Sequence, residues 1–298
     1  SLSSSVDVLS SINVTVVSNN TAEGTVSPGL LTFNSSNWNI ARTVTVTSVD
    51  DAVDDGDVTF SVLLDPSGDV VYDSLDSSVV YVTNIDDDTA GITVNSTGVA
   101  STNESSLSVS HIFTVVLDSE PIDIVEIGLS SSDVSEGIVV DIISLNFSST
   151  NWNIPQAVTV MGVDDDIDDD DQWYMIELGS AISSDVKYAG YDAMDVNVTN
   201  IDDDEVGFNI PIFGSGVVEV SEGTSNTVSI SLTTKPLGDV YVNLSTSDSD
   251  ELVVSPISLT FTGANWNVEQ NVTVSGVYDS VKDGHQTVAL TVDSPDTS

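Results

Sequence analysis

Apolar and polar residues alternate in short runs along this chain, and the period of the alternation is two. Leu107, Val109, Phe113, Val115 and Leu117 occupy odd positions, with Ser108, Ser110 and Thr114 between them. That pattern describes an antiparallel strand with one buried face and one wet face. Val158 and Val160 repeat it around Thr159. Such runs follow one another about every 8–12 residues, the spacing of a β-sandwich, and no stretch carries a convincing helical period.

The runs also recur at long range. Asn37-Trp38-Asn39, Asn151-Trp152-Asn153 and Asn265-Trp266-Asn267 are spaced 114 residues apart. Each follows a Leu-x-Phe strand end at Phe33, Phe147 and Phe261, and each precedes a Val-Thr-Val run at Val44, Val158 and Val272. Two copies close on Thr83-Asn84-Ile85-Asp86-Asp87-Asp88 and Thr199-Asn200-Ile201-Asp202-Asp203-Asp204. A period this long exceeds a solenoid turn or propeller blade and fits one whole domain. The expected fold is therefore all-β: three tandem Ig-like antiparallel sandwiches of about seven strands, at 1–88, 89–204 and 205–298. In this alignment the first unit lacks its first strand, and the third lacks its last strand and its Asp triplet. A window from a longer array accounts for that; the alternative is that strands from neighbouring chains complete the sandwiches.

Composition adds an electrostatic constraint. The 298 residues hold 48 acids against 4 bases, a formal net charge of -44. Such a chain repels nucleic acid and anionic membranes. Charge alone would suggest disorder, but 40% of the residues are hydrophobic and alternate as strands do. No apolar run approaches a membrane span, so direct membrane insertion is not expected. The absence of Cys removes disulfides and thiolate chemistry.

The acids cluster in register. Asp50-Asp51-Ala52-Val53-Asp54-Asp55-Gly56-Asp57 in the first unit matches Asp164-Asp165-Asp166-Ile167-Asp168-Asp169-Asp170-Asp171 in the second. The triplets Asp86–Asp88 and Asp202–Asp204 form a second concentration. Two carboxylates about 4 Å apart at an effective dielectric of about 20 repel by roughly 4 kcal/mol, which a cation offsets. Short carboxylates plus a backbone carbonyl suit a hard ion wanting 6–8 oxygens, Ca²⁺ above all. An EF-hand does not fit, because Val53 and Val62 would fall at ligand positions.

With these motifs the unit resembles the Calx-β domain, a calcium-binding Ig-like sandwich found in exchangers, in an integrin and in large bacterial surface proteins. The resemblance implies that an early Glu, the acidic loop and the triplet meet at one end of the sandwich and bind calcium. In the middle unit it implies Glu104, Asp164, Asp165, Asp169, the Ile167 carbonyl, Asp202, Asp203 and Asp204, with Asp171 and Asp133 as further candidates. In the first unit it implies Asp50, Asp51, the Val53 carbonyl, Asp55, Asp57, Asp86, Asp87 and Asp88. In the third unit Glu222, Asp279 and Asp283 remain, but Tyr278, Lys282 and His285 stand where Asp stood, so weak or absent binding is expected there.

The tryptophans read as plugs at the turn into a strand rather than a sugar platform. His111 shares the apolar face of its strand. Two unrelated His and no Cys offer no nucleophile with its base, and carboxylates repeated in every unit suit an array of sites better than one catalytic centre. The expected function is non-enzymatic: a calcium-stiffened structural and adhesive segment of a long extracellular or cell-surface protein. Its expected partners are flanking repeats or neighbouring copies, with cell-surface or extracellular-matrix components beyond them. The alternative is a subunit of a self-assembling surface layer or filament.

Overall fold

The computed structural model describes residues 11–68, 70–105, 110–211, 217–282 and 284–293, and no helix occurs among them. Alternation sets the faces. In β1 (Ile12–Ser18) Ile12, Val14 and Val16 are buried while Thr15 and Val17 face water. The first repeat continues through β2 (Gly24–Ser27), β3 (Leu30–Phe33), β4 (Thr45–Ser48), β5 (Val58–Ser67) and β6 (Ser78–Asn84). A four-stranded antiparallel sheet runs in the order β3-β1-β5-β6, opposite the pair β2-β4. Val16, Phe60 and Val62 lie buried between them.

Among the described residues the middle repeat is the fullest sandwich. Its strands are β7 (Ile92–Ser96), β8 (Ser101–Asn103), β9 (Ser110–Leu117), β10 (Val125–Ser131), β11 (Gly137–Val140), β12 (Ser144–Phe147), β13 (Gln156–Gly162), β14 (Gln172–Leu178) and β15 (Val196–Ile201). They form a five-stranded sheet, β12-β10-β14-β15-β8, over a four-stranded one, β11-β13-β9-β7. Phe113, Val115, Val158 and Val160 from one sheet meet Ile127, Phe147, Tyr174 and Ile176 from the other, all essentially inaccessible. Among the described residues nine strands stand where about seven are expected, because two segments change sheets partway. The changes fall at Gly98 (φ 80°) and Asp141 (φ 67°), where a left-handed residue breaks the extended run.

The third repeat holds β16 (Phe208–Asn209), β17 (Ser225–Leu232), β18 (Val240–Thr246), β19 (Leu252–Ser255), β20 (Ser258–Phe261), β21 (Gln270–Gly276) and β22 (Leu290–Asp293). Its sheets run β16-β17-β21-β19 and β20-β18-β22 around buried Ile230, Val242, Phe261 and Val272. The chain is thus all-β, with Ig-like antiparallel sandwiches in tandem, as its alternation predicts. Leu107, Ser108 and Val109, whose alternation predicts strand, lie outside the described residues.

Other sequence features find their places. Trp152 and Trp266 pack against the cores. Their tie to the neighbouring strand is made by backbone, since Trp152 O accepts Leu117 N at 3.1 Å and Trp266 O accepts Leu232 N at 2.8 Å. The Asn before each Trp closes the turn through its side chain: Asn37, Asn151 and Asn265 Oδ1 accept amides at 2.6–2.7 Å. His111 is buried beside Ser96, its Nε2 2.9 Å from Ser96 Oγ.

One pairing decides where chemistry can gather. β8 runs parallel to β15, with Asn103 opposite Ile201. Parallel pairing brings the residues after both strands, Glu104 and Asp202, to the same end of the sandwich. The loop from β13 to β14 and the turn from β10 to β11 open at that end too.

Candidate metal centre

The centre is built around Asn200, a fully buried side chain at the end of β15. Its Nδ2 lies 2.8 Å from Glu104 Oε1, 3.2 Å from the Val163 carbonyl and 3.4 Å from Glu136 Oε2. Its Oδ1 accepts the Thr102 hydroxyl at 2.9 Å, and Thr102 in turn contacts the Tyr174 hydroxyl at 3.1 Å. One amide therefore holds two glutamates from different loops side by side. Gly162 makes room for this, since a Cβ there would overlap both Asn200 Oδ1 and the Asn103 carbonyl.

Glu104 is 2% exposed, and its Oε2 is buried without a hydrogen-bond partner. One oxygen each from Glu104, Asp202 and Asp204 lie within 4.8 Å of one another. Burial, followed by the charges of Glu136, Asp165, Asp202 and Asp169, pushes the Glu104 carboxyl up to about 8. Burial also raises Glu136, against the lowering bond from Asn200. Asp169 and Asp204 are raised by desolvation and by their acidic neighbours. Carboxylates driven upward together mark a site that favours either protons or a cation.

The acidic loop is folded by its own carboxylates. Asp165 Oδ1 accepts Ile167 N at 2.7 Å, an Asx turn. Asp202 Oδ2 receives the amides of Asp169 and Asp170 at 3.1 and 3.0 Å, and its Oδ1 receives Asp204 N at 2.8 Å. Asp171 Oδ1 accepts Asp202 N at 3.3 Å, so that candidate braces the triplet backbone. Asp164 and Asp203 are exposed at the rim. The donor set is carboxylate and carbonyl oxygen with no His or Cys, which suits calcium and not a softer metal. The orphaned Glu104 oxygen makes the same case: a carboxylate buried without a partner ionises only with a hard cation beside it.

Asp133, the expected mid-domain acid, stands beside Glu136, and its charge is among those that raise the Glu136 carboxyl. Asp133 is exposed, and its Oδ1 accepts the Ser135 amide and hydroxyl at 2.9 and 2.5 Å. That turn engages one Asp133 oxygen and carries the chain on to Glu136. Glu136 has counterparts the motifs did not reveal. Glu23, Glu136 and Glu251 each present a backbone carbonyl to the residue after the Val-Thr-Val strand, Val49, Val163 and Val277, at 2.9–3.0 Å. Glu23 is buried, and its Oε2 accepts Asn84 Nδ2 at 3.1 Å, as Glu136 accepts Asn200. The first unit thus retains a buried glutamate at its acidic end. A signal existed in the sequence: a Glu ten or eleven residues before the Leu-x-Phe phenylalanine in all three repeats.

The first repeat reproduces the rest of the arrangement. Asp51 Oδ1 accepts Val53 N at 2.9 Å, and Asp86 takes Gly56 N at 2.6 Å and Asp88 N at 2.9 Å. Asp57 Oδ1 accepts Asp86 N at 3.1 Å. Asp55 is raised by burial and by Glu23, Asp51 and Asp86, and Asp88 by burial and its neighbours. The Val53 carbonyl already accepts Asp55 N at 2.8 Å, leaving one lone pair. Among the described residues none occupies the position of Glu104, and a cleft of about 380 Å³ lined by Glu23, Asp50, Asp51, Asp55, Asp86, Asp87 and Asp88 opens there.

In the third repeat Asp279 Oδ1 still accepts Val281 N at 2.7 Å, and Glu222 bridges in parallel to Gly276. Glu222, Tyr278, Lys282 and His285 are exposed, and Asp283 lies outside the described residues.

No family model matches this chain, and a search of curated proteins found no match. Among solved structures it is similar to the calcium binding domain CBD12 of CALX1.1, at 20% identity over 60% of this chain and 73% of that one, with a TM-score of 0.30. CBD12 from CALX1.2 is 19% identical over 60% of this chain and 74% of that one, with a TM-score of 0.27. Domains 4–9 of the surface layer protein SbsC are 15% identical over 98% of this chain and 40% of that one, with a TM-score of 0.28. Identities this low concern the fold alone, and TM-scores this low lend the site no weight; its case stands on the carboxylates.

Proposed function

We propose that the chain is a calcium-stiffened structural and adhesive segment of a long extracellular, cell-surface protein, with units at 1–88, 89–204 and 205–298. The observation that carries this reading is Glu104, buried with an unpartnered oxygen and grouped with Asp202 and Asp204. Those three come from the β8 end and the terminus of β15, and Asp165 and Asp169 approach from the loop between β13 and β14. Bound there, Ca²⁺ would supply the positive charge that lets all of them ionise together. Asn200 orients Glu104 and Glu136, and Asp202 ties the loop to the triplet that leads into the next repeat. In this reading the partners are flanking repeats or neighbouring copies, and no residue has a catalytic role.

Calorimetric titration and thermal melts in calcium and in chelator test the proposal. Calcium is expected to bind at the first two repeats and to stabilise by about 2.7 kcal/mol at a hundredfold excess over Kd. No heat of binding and an unchanged melting temperature would overturn it.

A further inference from the structure

The acidic loops contain carboxylates and carbonyls that the calcium site does not use. Asp54 Oδ2 accepts the amide of Ala90 at 2.9 Å, and its Oδ1 pairs with the Lys187 ammonium. Both partners lie beyond the Asp86–Asp88 triplet, on the following repeat. Asp168, at the same loop position in the second repeat, accepts the amide of Val206 at 2.8 Å, again just past the triplet. Two residues earlier each loop presents a backbone carbonyl. Ala52 O accepts Glu120 N at 2.6 Å, and Asp166 O accepts Lys235 N at 2.6 Å. Glu120 and Lys235 each stand three residues past the end of a long strand, β9 and β17.

The two junctions therefore make the same pair of bonds through different residues. Ala52 and Asp166 share little as side chains, nor do Glu120 and Lys235, so what recurs is backbone geometry plus one carboxylate. Within each loop the work divides by position. The second and sixth residues, Asp51 and Asp55 or Asp165 and Asp169, belong to the acidic cluster. The third and fifth face the next repeat.

We propose that Asp54 and Asp168, with the Ala52 and Asp166 carbonyls, form a head-to-tail docking surface that sets the angle between consecutive repeats. The surface recognises backbone amides on the following repeat of this same chain. A charged acceptor strengthens each such bond, and Lys187 adds a second tie at the first junction. Lys282 stands at this position in the third repeat and can only donate, so its side chain cannot clamp an amide in this way. This inference goes beyond the calcium reading and does not depend on it.

The absence of Cys allows clean spin labelling through Asn197→Cys and Asn243→Cys, both exposed on strands of consecutive repeats. Pulsed electron-electron resonance at saturating calcium is expected to give one narrow distance peak for the otherwise unaltered chain. Asp168→Ala is expected to lose that peak to a broad distribution, and Asp168→Asn, which keeps an acceptor oxygen, to restore it. Calcium affinity of both variants should stay within about twofold, because the Asp168 carboxylate is turned to the Val206 amide. A narrow peak in Asp168→Ala would overturn the proposal. So would a broad one that comes with lost calcium binding, which would make Asp168 a ligand, or a broad one in the unaltered chain. If no calcium binds at all, the functional reading fails on its own, and the same widths recorded in chelator still decide the docking surface.

Discussion

Glu104 concentrates the tension in the molecule, and its titration gives that tension a sign. Its ordinary value is 4.5, and burial and neighbouring acids push it up to about 8. Between those values the folded, metal-free protein holds a proton that the unfolded chain has released. Stability therefore falls as pH rises through that window, by an order of about 5 kcal/mol from this group alone, and levels off above it. Urea unfolding in chelator at pH 5, 7 and 9 measures the loss. Calcium needs the carboxylate, so binding at pH 7 should release close to one proton from Glu104, read by calorimetry in buffers of different ionisation enthalpy. Glu104→Gln separates the two roles: it should raise stability in chelator at pH 9 while weakening calcium binding. Asn200 touches no ion in the proposed site, yet Asn200→Ala should cost about 10–100-fold in calcium affinity, because two glutamates lose their common brace.

Among the elements, the parallel pairing of β8 with β15 and the crossing of β13 beneath it do the most. Gly162 ends β13 against the Asn103 carbonyl and Asn200, leaving no room for a side chain. Gly162→Ala should destabilise the middle repeat by about 1–3 kcal/mol, as overpacking does, and weaken calcium binding with it. A thermal melt of the variant in chelator isolates the packing part. The loop between β21 and β22 is the natural comparison. It keeps the Asx turn at Asp279 but puts Lys282 and His285 among the acids, so a titration should show no third site of comparable affinity.

At the scale of the whole molecule, the three separate cores are expected to melt as separate cooperative units. Differential scanning calorimetry in chelator should resolve more than one transition, since among the described residues the first and third repeats bury fewer large side chains than the middle one. Calcium is expected to raise the transition of the middle repeat and leave that of the third nearly unmoved. The same docking bonds at both junctions then carry any stiffening from one repeat to the next.

Much of this was legible in the order of residues. Alternation at Phe113, Val115 and Leu117 determined which face each strand buries, because side chains on a strand point alternately. The 114-residue recurrence determined the tandem plan, and the Asp register marked the loops and triplets. The tertiary structure decided which of those acids meet. Glu104 and Asn200 are 96 residues apart and join only through a parallel pairing that no local pattern encodes. Glu136 joined them through the turn that Asp133 caps with one oxygen, and through its bond to Asn200 from across the sandwich. The sequence by itself determined the sandwiches and the supply of carboxylates, since both follow from periodicity and composition. The centre itself, and the clamp of Asp54 and Asp168 on the next repeat, arose from packing, because a ligand set is a matter of distances across sheets.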